Sequence, residues 1–188
     1  MLLRPDPPTR GSWGDALSIL NNAKSAILNK KKYSTDCTKI FDRLGISINS
    51  IKDLLKPGKQ VWKNGNTSND LWYMIMPEGD SRDAYKKTYG TAFTVSDAFN
   101  SRYFYPDPIL HLATAQLGGN KVYWNPDAVT DRAGSLGTSF LEGAIVHETA
   151  HNLGYTDDQW YQAIYNEKAP TIYNSEDLAN QLANKCFK

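Results

Sequence analysis

The stretch "GAIVHETAHNLGYTDDQW", Gly143 to Trp160, holds two of the three histidines in a chain of 188 residues. His147 and His151 stand four apart, so on a helix their rings project from one face, one turn from each other. Neutral imidazoles at that spacing can both reach a single zinc ion at about 2 Å. Glu148 follows the first histidine and points further round the helix, where it can reach a metal-bound water and serve as general base. The reading needs this stretch to be a helix, and its ends argue for one. Ser139 followed by Glu142 fits a reciprocal capping box. Gly154 stands where a helix commonly stops in a left-handed turn. A helix from Phe140 to Leu153, about 21 Å long, is therefore expected, with Leu141, Ala144 and Ile145 turned to the core.

Upstream the pattern begins helical. Asp15 is placed to cap a helix over "ALSILNNAKSAILNKKK", with Leu17, Leu20, Ala23 and Ile27 on one face. A second helix is expected around "DCTKIFDRLG", ending at Gly45. A third, "SINSIKDLLKPG", carries Ile48, Ile51, Leu54 and Leu55 and closes at Pro57-Gly58. After the turn cluster "NGNTSND", the runs "LWYMIMP", "TAFTVSDAF" (91–99) and "KVYWNP" (121–126) read as strands, the last entered through a Gly118-Gly119-Asn120 turn. A last helix is expected over "SEDLANQLANKCF". Helices, then a small mixed sheet, then the motif helix and a short helical lobe predict an α+β fold. Residues 1–14, "MLLRPDPPTRGSWG", read as a flexible leader. Residues 15–188 read as one domain, with a cleft between 15–153 and 154–188.

Composition sets few further bounds. The chain is 40% hydrophobic and 22% charged with a net charge of +1, so no basic face favours nucleic acid. No apolar run approaches the roughly 18 residues of a membrane span, and the first residues lack the apolar segment of a signal peptide. Cys37 and Cys186 show no metal-ligand spacing; a disulfide between them and two free thiols are both open.

The residues "HETAHNLGYTD" resemble the zincin metallopeptidases. The form H-E-x-x-H-x-x-G-x-x-D is similar to a metzincin-like variant found in small secreted bacterial neutral proteases of the snapalysin type, with aspartate in place of a third histidine. The resemblance implies a zincin-like fold, zinc held by His147, His151 and Asp157, and Glu148 activating a water. Methionine occurs only at positions 1, 74 and 76, so no methionine turn follows the third ligand as it does in metzincins. Glycine at 154 lets the chain turn back and present a residue three positions on, which favours Asp157. Two alternatives stay open. "TDDQWY" also resembles the Thr-x-Asp-x-x-Tyr stretch of the aspzincins, which would select Asp158 and place Tyr161 near the oxyanion. Glu176 lies on the last helix, as in gluzincins, although Ser175, Glu176 and Asp177 also suit a helix N-terminus. His111, in the apolar "PILHLATAQ", reads as a core histidine. Tyr155, Tyr161 and Tyr173 could each stabilise a tetrahedral intermediate; Tyr161 is preferred.

The expected activity is zinc-dependent endopeptidase, acting as a secreted monomer on a protein or peptide laid along the "KVYWNP" strand. Two other readings are a zinc-binding module without turnover, and a protease effector or toxin domain with one target. An intact Glu148 argues against the first. Narrow cleavage of a single protein would mark the second.

Overall fold

The computed structural model describes residues 10–56, 60–61, 67–68, 73–75, 112–115, 117–119, 122–124 and 126–188. Three helices open the chain: α1 (Arg10–Asn29), α2 (Thr35–Leu44) and α3 (Ile48–Leu55). On α1, Ala16, Leu20, Ala23 and Ile27 are buried, a run of one face at helical spacing. The helix begins at Arg10, inside the expected leader, so Asp15 lies within it and not at its cap. It also stops before the lysine run, where the Lys30 carbonyl accepts from Lys52 Nζ at 2.6 Å. Helix α2 matches the expected element closely: Ser34 caps it by accepting from Cys37 N–H, and Gly45 closes it at φ +79°. Its buried face is Cys37, Ile40, Phe41 and Leu44. Ser47 caps α3, which buries Ile51, Leu54 and Leu55.

Five strands are described, each of two or three residues: β1 (Gln60–Val61), β2 (Thr67–Ser68), β3 (Tyr73–Ile75), β4 (Ala113–Ala115) and β5 (Val122–Trp124). β1 pairs antiparallel with β2. β5 runs between β3, to which it is parallel, and β4, to which it is antiparallel. Four helical elements complete the chain: α4 (Pro126–Leu136), α5 (Thr138–Asn152), α6 (Asp157–Tyr165) and α7 (Ser175–Leu182). A π turn, Ala183–Phe187, continues α7.

The α+β expectation is therefore corrected. Helices take most of the described residues and each described strand has two or three, so the described part of the chain is helical and not a sheet with helices around it. The motif helix α5 is enclosed mainly by helices: α1, α4, α7 and the C-terminal turn pack around it. Of the runs that read as strands, Tyr73–Ile75 and Val122–Trp124 are strand among the described residues. Two helices went unread. Pro126 at the first position opens α4, where its missing N–H costs nothing. α6 begins just after Gly154. The expected strand at 91–99, the Pro57-Gly58 stop and His111 lie outside the described residues.

Cys37 and Cys186 form a disulfide, which joins α2 to the C-terminal turn across 149 positions of sequence.

Candidate metal centre

Helix α5 is buried on nearly every side, from Phe140 and Leu141 through Val146 to Ala150. One glycine makes this enclosure possible. A Cβ at Gly143 would collide with the Ala179 carbonyl and lie 2.8 Å from the Ala183 backbone nitrogen. The backbones of α5 and α7 thus meet almost directly, one turn before His147. The expected capping box is not formed. Gly137, at φ +84°, is the N-cap and supplies no side-chain bond, so Ser139 falls inside the helix. Glu142 is buried instead, and burial pushes its carboxyl above the ordinary value.

The C-terminus of α5 behaves as the sequence implies. Gly154 adopts φ +91°. Its N–H donates to the His151 carbonyl at 2.8 Å, and the Tyr155 N–H donates to the Ala150 carbonyl at 3.0 Å. These two bonds make a Schellman closure, which reverses the chain within two residues. The reversal does two things for the site. It brings the Tyr155 carbonyl to 2.6 Å from His151 Nδ1, which donates to it. It also starts α6 with Asp157 as the first helical residue. There the positive end of the helix dipole favours a carboxylate. A reciprocal capping box fixes this start: Gln159 N–H donates to Thr156 Oγ1, and Thr156 N–H donates to Gln159 Oε1 at 2.8 Å.

Asp157 Oδ1 lies 2.7 Å from His147 Nε2 and 3.0 Å from His151 Nε2. The histidine ring centroids are 4.6 Å apart and tilted by 56°. Burial opposes charge on Asp157, but hydrogen bonds and the positive charge from both histidines overcome it and hold the carboxyl far below its ordinary range. Burial likewise opposes charge on His151. The bond to Asp157, the negative charges of Glu148 and Asp157, and the Tyr155 carbonyl outweigh it and raise the ring to about 9. Glu148 is buried next to them, with Oε1 3.8 Å from His147 Nδ1. Burial drives its carboxyl upward, the two histidines pull it back, and Asp157 adds to the rise.

His147, His151 and Asp157 could hold a metal ion. Two imidazole nitrogens and a carboxylate oxygen are a donor set that zinc accepts. Ligands about 2.05 Å from a tetrahedral ion sit roughly 3.3 Å from each other, so Asp157 Oδ1, at 2.7 and 3.0 Å from the two Nε2 atoms, would draw back slightly from both to admit one. The Tyr155 carbonyl gives His151 the outer partner that metal-bound histidines commonly have, and it leaves Nε2 as the donor.

The alternative third ligands are engaged elsewhere. Asp158 Oδ1 accepts from the Tyr173 hydroxyl at 2.6 Å. Both oxygens of Glu176 accept from Arg132, at 3.1 and 3.2 Å. The Tyr161 hydroxyl donates to Glu167 at 3.3 Å and not to any member of the group; its ring rests against Tyr165 and Tyr173. The Tyr173 hydroxyl is held protonated, raised far above the ordinary tyrosine value by burial, by its bond to Asp158 and by the charges of Asp157 and Asp158.

Trp160, unremarked in the sequence, is fully buried with its ring 6.0 Å from that of His147 in an edge-to-face contact, and Phe41 meets it at 5.8 Å. It backs the histidine with a rigid apolar wall. Its position three residues after Asp157 on α6 was readable; its target on another helix was not. No protein-family model matches the chain, and no curated protein or solved structure is significantly similar to it.

Proposed function

We propose that this protein is a zinc-dependent endopeptidase of zincin type, with His147, His151 and Asp157 as ligands and Glu148 as general base. The observation that carries the reading is the meeting of two Nε2 atoms from α5 on one oxygen of Asp157 from α6, with a buried carboxylate alongside. Zinc bound there would supply a Lewis acid for a peptide carbonyl and a water acidic enough to lose its proton near neutral pH. Glu148 is the group that takes that proton and delivers it to the leaving amine. Its burial raises its proton affinity, which suits a carboxylate that must accept and release within one cycle.

The substrate strand is reassigned. "KVYWNP" supplies β5, which is flanked on both sides, so it offers no free edge. Among the described residues β4 is an outer strand of that ladder, and it packs against α5. An extended peptide adding to Ala113–Ala115 would therefore run beside the histidine helix. The buried disulfide supports an oxidising compartment, as a secreted enzyme would meet.

The test is digestion of unfolded casein by purified protein whose zinc content has been measured, with and without chelator. Cleavage should stop with chelator, return with zinc, and be absent in Glu148→Gln, which should still bind zinc. Cleavage retained by Glu148→Gln would remove Glu148 from the mechanism. Zinc binding with no cleavage of any protein would leave a module without turnover.

A further inference from the structure

His147 and His151 lie on α5, but Asp157 lies on α6, and only four residues, Leu153 to Thr156, separate the two helices. The junction includes Gly154, the residue most able to change its backbone angles. Capping by Thr156 orders the first turn of α6 internally, yet does not tie that turn to the rest of the domain. Trp160 packs one side of that turn against His147 and Phe41, and a second tie comes from the far side. The Tyr173 hydroxyl donates to Asp158 at 2.6 Å, and Asp158 is the direct neighbour of Asp157. Tyr173 itself immediately precedes Asn174, the N-cap of α7. Helix α7 is seated on α5 where Gly143 admits the Ala179 carbonyl.

We propose that Tyr173 is a positioning residue for the metal centre: its bond to Asp158 latches the first turn of α6 to the start of α7 and so holds Asp157 at the right distance from His147 and His151. The inference rests on reading those three residues as ligands. It accounts for the paired aspartates by giving them separate tasks, one facing the histidines and one facing the tyrosine. Among the described residues Asp158 has no ion-pair partner, so the tyrosine hydroxyl is what orients it. The Tyr173 ring is steadied in turn by Tyr161, 5.1 Å away.

Zinc affinity of the full chain, measured by competition with a chromophoric chelator, tests the latch without reference to proteolysis. Tyr173→Phe, which removes one oxygen, should weaken zinc binding about tenfold or more, the usual range for partners of metal ligands. Asp158→Ala should weaken it too, and the double variant should bind no worse than Asp158→Ala alone. Metal-free Tyr173→Phe should stay folded, with a fall in thermal stability smaller than its loss of zinc-binding free energy. Zinc affinity of Tyr173→Phe equal to wild type, or a loss that adds in full to that of Asp158→Ala, would overturn the latch. So would a loss matched by an equal fall in metal-free stability, which marks a merely structural tyrosine. A wild-type chain that takes up no zinc would sink the metal reading and the latch together.

Discussion

His151 Nδ1 lies 2.6 Å from the Tyr155 carbonyl oxygen, and this bond determines what the other nitrogen of the ring can do. Nε2 faces Asp157 Oδ1 at 3.0 Å. A carbonyl and an ionised carboxylate can only accept, so both ring nitrogens carry hydrogen in the metal-free protein. The ring is then an imidazolium, in keeping with its rise to about 9.

Metal uptake through Nε2 must expel that proton. Zinc binding near pH 7 should release about one proton, read as a dependence of the calorimetric heat on the ionisation enthalpy of the buffer. The sign of the pH effect follows. Because the folded value is raised from the ordinary 6.5 to about 9, the imidazolium stabilises the metal-free fold fully below 6.5 and loses that effect as pH rises through 9. Zinc and proton compete for Nε2 wherever the folded ring is protonated, so zinc affinity should climb with pH up to about 9, including between 6.5 and 9, and flatten above it. Affinity independent of pH across that range would contradict a protonated His151.

Gly143→Ala should destabilise the domain more than an exposed glycine replaced in the same way. The new methyl meets the backbone of Ala179 and Ala183, which cannot rotate aside as a flexible side chain could. A cost of about 1–3 kcal/mol is expected in urea unfolding, the range for overpacked sites. Gly134, on α4, has open space around its Cβ direction and is the control; Gly134→Ala should be neutral or mildly stabilising.

Two stretches carry the same capping signature, and they should respond differently. Thr156→Ala removes a formed cap and should cost about 1 kcal/mol. Ser139→Ala touches no cap, because Gly137 already starts α5, and should cost little. Equal losses in urea unfolding of the two variants would contradict this assignment.

That pair also shows how far the sequence could be read. Helix stops are local, since a glycine at φ > 0 needs nothing beyond its neighbours, and Gly45 and Gly154 were both legible. The i, i+4 geometry of His147 and His151 was legible for the same reason. Asp157 followed from the bend at Gly154. The start of α5 was not, because "SFLE" matches a cap motif whether or not the helix begins there. Thr156 and Gln159 match it equally and do form it, so the motif alone does not separate the two cases. Trp160 behind His147, and Tyr173 on Asp158, depend on how α6 docks on α2 and α7, a relation with no local signature. The Tyr155 carbonyl that orients His151 is main chain, and no residue letter announces it. The helical character of the described residues was not legible from the middle of the chain, because no local signature announced α4, which Pro126 opens.

The Cys37–Cys186 bond encloses almost all of the chain after α1, the metal centre included. For a protein read as cutting peptide bonds, this bears on its own survival. A single cut at any position between the two cysteines leaves both pieces covalently attached. Such a nicked molecule would keep its full mass on a gel run without reductant and separate into fragments only when reductant is added.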